Sequence, residues 1–124
     1  MRLLLDTHVL LWALSTPGKL PARFRRELDV SQVFVSAASI WEIAIKAGLG
    51  KLEADPLEVL EAVEPSGFEL LSVTGAHAAR VARLPPLHRD PFDRLLVAQA
   101  LSEPLVLVTR DEALRGYGEL VRVL

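Results

Sequence analysis

The chain has 124 residues, enough for one domain that buries roughly two-thirds of its unfolded surface and too few for two ordinary domains. Apolar residues make up 51% and charged residues 24%, which excludes a disordered or fibrous chain, and the absence of cysteine excludes disulfides, thiolate metal sites and thiol nucleophiles. A formal charge of −2 offers no global basic field for nucleic acid, and no apolar run nears the roughly 18 residues of a membrane helix. A soluble cytoplasmic protein, without a membrane partner, is expected.

The pattern predicts a buried strand at Leu3-Leu4-Leu5, followed by a helix from Thr7 to Leu14 that Asp6-Thr7 can cap. Ser15-Thr16-Pro17-Gly18 breaks it, and a second helix is predicted over Pro21 to Leu28. Val33-Phe34-Val35 gives the next strand, and Ser36 then caps a helix over Ala37 to Ala47 that Gly48 stops. Apolar positions on several faces of that helix predict burial on two sides. After the Gly48 to Lys51 turn come a helix over Pro56 to Val63, a strand over Phe68 to Val73, and a helix from Thr74 or Gly75 to Arg83.

Asp90-Pro91-Phe92-Asp93 has an acid at the cap, proline at the first helical position and a second acid in the first turn. It starts a helix predicted to reach Ser102. Leu105 to Val108 is an uninterrupted apolar run, as expected for a central parallel strand covered on both faces. A short helix over Asp111 to Arg115, a turn at Gly116 and Gly118, and a strand over Leu120 to Val123 complete the chain. Alternation of strands and helices predicts a three-layer α/β/α sandwich with a mainly parallel sheet of four to five strands, as a single domain over 1–124.

Four acids deserve weight: Asp6, Glu42, Asp93 and Asp111. In an alternating β/α fold the C-terminal ends of the strands converge on one edge, where ligands bind. Asp6, Asp93 and Asp111 are each also explained by helix capping, as is Asp90. Glu42 is different: with Ser36 as the cap it lies nearly two turns inside its helix, unless the helix starts later and Ser39 and Glu42 form a capping box. Gathered carboxylates repel by about 4 kcal/mol per pair at roughly 4 Å with an effective dielectric near 20, so a shared dication or protonation is needed. Hard oxygen donors suit Mg²⁺ or Mn²⁺, which favour hydrolysis without a histidine base.

Leu4-Leu5-Asp6-Thr7-His8, Ser39-Ile40-Trp41-Glu42-Ile43, His88 to Leu96 and Val108-Thr109-Arg110-Asp111 resemble the four acidic motifs of PIN-domain ribonucleases, in order and spacing, over essentially the whole chain. Asp90-Pro91-Phe92-Asp93-Arg94 is the most specific of them. Within the family, the chain resembles VapC-type toxins of toxin–antitoxin pairs. The resemblance implies that Asp6 and Asp93 are primary metal ligands, that Glu42 and Asp111 complete the acidic pocket, and that the substrate is RNA, cut by a metal-activated water. It further implies a cognate antitoxin whose segment lies in a groove beside the site.

Around these acids, Asp90 is an auxiliary candidate with N-capping as its principal role, and Thr7 and Thr109 can orient water or phosphate or simply cap. Arg94 and Arg110 are candidates for the substrate backbone. His8 and His88 are expected at the surface or behind the ligands, and Trp12 and Trp41 in the core. Apolar faces on the first helix and on Ala37 to Ala47 predict a partner surface, for a second copy in a homodimer or for the antitoxin. Competing classes are a phosphoaspartate receiver, disfavoured because no lysine follows a late strand, a catalytically silent binding module, and a structure-specific nuclease outside toxin–antitoxin systems. Walker A, G-x-G-x-x-G, G-x-S-x-G and H-E-x-x-H patterns are absent.

Overall fold

A computed structural model describes residues 1–124. Five strands, β1 (Arg2–Leu5), β2 (Gln32–Ser36), β3 (Phe68–Leu71), β4 (Val106–Thr109) and β5 (Val121–Val123), form one sheet in the order β3-β2-β1-β4-β5. Every neighbouring pair is parallel. The helices are α1 (Thr7–Ser15), α2 (Ala22–Val30), α3 (Ala37–Gly48), α4 (Pro56–Val63), α5 (Gly75–Arg80) and α6 (Pro91–Ser102). This is the three-layer α/β/α sandwich that the alternation of elements predicts.

Strand alternation builds the layers. Leu3 and Leu5 of β1, with Val33, Val35 and Val108, face a core completed by Val9, Leu10, Phe24, Ile43 and Val59 from α1 to α4. Leu4, Phe34 and Leu107 face the opposite core, filled by Leu96, Val97 and Ala100 of α6 and by Leu84 and Leu114. Adjacent residues of one strand therefore anchor different layers, which is the geometry a period of two demands. No helix is long and apolar enough to cross a membrane.

The chain moves outward from β1 through β2 to β3, then returns to pair β4 on the other side of β1. At that reversal the connections after β1 and β4 leave for opposite faces and open a crevice at the strand ends, the usual ligand position in open α/β sheets. Asp6 is the residue after β1, and its N–H donates to Val108 O at 3.0 Å, so the two strand ends are tied together there.

Several boundaries differ from the sequence reading. The strand predicted over Phe68 to Val73 ends at Leu71, because its only partner, β2, ends at Ser36 opposite Leu71 and turns into α3. The helix predicted to run to Arg83 tightens into a 3-10 turn over Val81–Arg83, and the one predicted over Asp111 to Arg115 is a 3-10 turn, Glu112–Tyr117, capped by Asp111. α3 buries one side only: Ala38, Ser39, Glu42 and Ile43 are covered while Trp41 is 60% exposed. Trp41 is thus not a core residue; it packs edge-on against Phe92, with ring centroids 5.2 Å apart.

Leu107 is fully buried in β4. Leu107→Ala is expected to lower the unfolding free energy by about 2–5 kcal/mol, read by chemical denaturation.

Candidate functional site

Each candidate acid is delivered by a local rule. Asp6 caps α1, its Oδ1 accepting from Val9 N at 2.8 Å. Asp90 caps α6, accepting from Phe92 N and Asp93 N, and Pro91 follows at the first helical position. The cap fixes the first turn, and Asp93 is held in that turn. Asp111 caps the 3-10 turn after β4 through Ala113 N at 2.9 Å. Ser36 caps α3, which excludes the alternative capping box and leaves Glu42 in the helix interior, 3% exposed.

These four acids, spread over about a hundred positions of chain, line one cavity of about 440 Å³, together with Asp90. Hydroxyls orient two of them from behind. Thr109 Oγ1 donates to Asp6 Oδ2 at 2.5 Å, and Thr7 Oγ1 donates to Glu42 Oε1 at 2.6 Å while lying 3.1 Å from Ser39 Oγ. Thr7 and Thr109 are therefore aimed at carboxylates. A further buried bond, Ser36 Oγ to Gln99 Oε1 at 2.6 Å, ties the start of α3 to α6, so the helices carrying Glu42 and Asp93 are linked beneath the cavity.

Three residues behave otherwise than the sequence suggests. Lys46, one turn beyond Glu42, places Nζ 2.5 Å from Glu42 Oε2 and lines the cavity. Lys46 lies outside the acidic motifs, and the Glu-x-x-x-Lys spacing is the sequence signal for this pair. His88 is closer to the acids than expected of a loop histidine: Nε2 is 2.8 Å from Asp93 Oδ2 and 3.4 Å from Asp111 Oδ2. Arg94, expected near the substrate backbone, instead donates to Pro85 O at 3.1 Å, Val81 O at 3.0 Å and the Tyr117 hydroxyl at 3.2 Å. It clamps the loop that carries His88. Arg110 is exposed at the cavity, its guanidinium 5.1 Å from the centre of the Trp12 ring. His8 is exposed and lines the same cavity.

The electrostatics of the cluster are unfavourable by themselves. Burial pushes the Asp6 carboxyl above its usual value, more than the Thr109 and Val9 hydrogen bonds pull it back. Burial likewise raises Asp93, to about 6, with further repulsion from Asp90 and Asp6 against the opposing pull of His88. Glu42, in contrast, has a cation at hand, and its hydrogen bond raises Lys46 above the ordinary lysine range.

The donor set fits a hard dication. Asp93, Asp111 and His88 offer atoms within 4.8 Å of one another, and buried Asp6 lies beside them with its ionised form disfavoured. Oxygen donors with one imidazole suit Mg²⁺ or Mn²⁺.

The family model for the PIN domain matches residues 3–120. The chain belongs to the PIN domain family. Among curated relatives, Ribonuclease VapC22 of Mycobacterium tuberculosis is 29% identical over 118 residues, covering 92% of this chain and 90% of the relative. Among solved structures, the VapBC2 complex of Rickettsia felis bound to a promoter DNA fragment superposes with a TM-score of 0.72 at 16% identity, over 99% of this chain and 98% of that one. The DNA-bound VapBC of Salmonella typhimurium gives 0.65 at 21% identity over 100% and 97%, and FitAcB of Neisseria gonorrhoeae 0.58 at 22% over 90% and 88%. At such identities the superpositions establish the PIN fold.

The raised pKa of Asp93 makes stability depend on pH. The folded protein holds this proton up to about pH 6, whereas the unfolded carboxyl releases it near its ordinary 3.8. The stability it contributes is full below about pH 4 and lost as pH rises through about 6, by at most about 3 kcal/mol. In metal-free buffer, urea denaturation of Asp93→Asn against the parent is expected to isolate that slope as their difference between pH 4 and 7.

Proposed function

We propose that the chain is a divalent-metal-dependent endoribonuclease and the toxin of a toxin–antitoxin pair. The observation that carries the reading is the convergence of Asp6, Glu42, Asp93 and Asp111 on one cavity at the reversal of strand order, with Asp6 and Asp93 desolvated beyond what their hydrogen bonds offset. The name of the mycobacterial relative, a ribonuclease, supports the activity, and the complexes of the structural neighbours support the pairing with an antitoxin.

Asp6 and Asp93 would hold Mg²⁺ or Mn²⁺, with Asp111 and His88 beside them. Bound there, the ion supplies Lewis-acid activation of water and neutralises charge developing on the phosphoryl oxygens. The protein's own contribution is positioning. Thr109 fixes the rotamer of Asp6, and the Asp90 cap fixes the first turn that carries Asp93. Thr7 and Lys46 occupy opposite oxygens of Glu42, so this acid is neutralised internally and contributes shape and charge balance at the cavity wall.

The antitoxin is assigned to a groove of about 470 Å³ between α1 and the segment leading into α4, lined by Leu11, Leu14, Leu52 and Val59 among others. His8 and Trp12 line both this groove and the acidic cavity, so a segment lying in the groove ends at the acids. Its apolar walls suit an amphipathic helix. A second copy is assigned to α3, where Trp41, Ile45 and Leu49 are exposed at successive turns.

Wild-type protein is expected to cut structured RNA in Mg²⁺ and to stop in EDTA, while Asp6→Asn keeps the fold and loses cleavage by at least about a hundredfold, as expected when a charged group essential to the site is removed. Mg²⁺ is also expected to raise the melting temperature at pH 7.5 and far less at pH 5, where Asp93 carries its proton. Cleavage that persists in EDTA or in Asp6→Asn would reject the metal site. Sedimentation is expected to give a dimer for the parent and a monomer for Trp41→Glu; a parent monomer would reject the α3 interface.

A further inference from the structure

Beside the acidic cavity a smaller one of about 270 Å³ opens between α1 and the segment that follows α3. Both cavities are lined by Glu42 and Lys46, so the ion pair stands at their junction. Leu11 and Leu52 form apolar walls of the smaller cavity, and Lys51 lines it as well. The chain has only three lysines, Lys19, Lys46 and Lys51, and two of them are gathered here.

We propose that this side cavity is the subsite for the RNA strand next to the cleaved bond, with Lys46 and Lys51 each holding a backbone phosphate. The inference rests on the nuclease reading and adds residues that the acidic motifs do not contain. A polyanion approaching a cavity lined by five carboxylates is repelled unless cations meet it on the way in. Apart from histidines, the cations lining the acidic cavity are Lys46 and Arg110, and Arg110 lies over Trp12. Lys46 is therefore the point at which phosphate meets positive charge closest to Glu42.

The form of the Glu42–Lys46 pair agrees with that role. Its acid end is buried, with 4% of the side chain exposed, while the lysine end is 34% exposed, so the ammonium is tethered from below and open above. An ammonium carries three donors. Glu42 takes one, and no other protein group accepts from Lys46. Lys51 is exposed and lines the side cavity, and its ammonium makes no hydrogen bond or ion pair within the chain. An ordinary solvated pair between two exposed ends would not hold its lysine at a cavity junction, and it would leave no reason for a second unpaired lysine on the same wall.

The test measures binding of a short fluorescein-labelled single-stranded RNA to the Asp6→Asn protein, in which the RNA stays intact, across a series of salt concentrations. Lys46→Met and Lys51→Met, added singly, are each expected to weaken binding regardless of RNA sequence and to reduce the slope of log K against log salt by about 0.7. Lys46→Arg restores the slope, and Arg83→Met, on a different cavity, leaves it unchanged. Lys51 contacts no acid, so its variant keeps the proposal testable even if Lys46→Met loses stability. In otherwise wild-type protein, Lys51→Met is expected to raise KM for RNA while kcat is retained. Unchanged slopes in both lysine variants would overturn the subsite, and Mg²⁺-dependent cleavage by the wild type would then show that the nuclease reading stands without it. Absence of both cleavage and RNA binding would overturn the two together.

Discussion

Parallel pairing of β1 with β4 is the constraint on which the site depends, because it joins residues about a hundred positions apart in the chain. Leu5 lies opposite Val108 in that register, so the residues that leave the two strands, Asp6 on one side and Thr109 to Asp111 on the other, emerge together. The apolar faces of both strands fix the register: a slip by one residue would turn Leu107 and Val108 toward the wrong layers. The side-chain bond from Thr109 to Asp6 is thus a consequence of hydrophobic alternation elsewhere in the strands. A carboxylate cluster that opposes folding is carried by the apolar core on both faces of these strands.

Short polar side chains connect that core to the acids. Ser36, Ser39, Thr7 and Thr109 are all buried: Thr7 and Thr109 donate to the candidate acids Glu42 and Asp6, Ser36 donates to Gln99 on the helix that carries Asp93, and Ser39 accepts from Thr7. Buried hydroxyls cost free energy unless bonded, so their placement restricts the carboxylate rotamers as well as satisfying themselves. Gln99 extends the same logic, reaching from α6 to Ser36 and to Ser72 O, the residue that follows β3. No buried side-chain polar atom lacks a partner. Such a network holds the carboxylates from behind in fixed orientations, the kind of preorganisation on which electrostatic sites rely.

What the sequence disclosed follows the range of the interactions involved. The Asp90-Pro91 helix start, the Ser36 cap and the apolar runs of β1 and β4 are local signals, and the elements stand where those signals put them. The four acids were legible through their motifs, but their meeting in space was only implied by strand order. Lys46, His88 and Arg94 owe their roles to tertiary neighbours: Lys46 to the burial of Glu42, His88 to the loop that returns it to α6, Arg94 to three acceptors from segments that periodicity does not connect. Trp41 failed for a related reason. Helical spacing shows that residues share a face, and it does not show whether the chain itself covers that face.

The four acids are not equivalent, and helix geometry explains the difference. An acid in the interior of a helix has a neighbour four residues on, and at Glu42 that neighbour is a lysine. Asp6 and Asp111 cap helix starts, where the neighbours are backbone N–H groups and partial positive charge rather than full cations, while Asp93, in the first turn of α6, leaves those N–H groups to Asp90 and meets only the His88 imidazole. Partial charge lessens the cost of ionising a buried carboxylate without removing it, and Asp6 and Asp93 therefore keep raised pKa values even with good hydrogen bonds. The unmet demand for positive charge is concentrated on these two. A dication placed among them gains the electrostatic energy that Glu42 already draws from Lys46, so the position of one lysine divides the cavity into a wall that is balanced and a centre that is not.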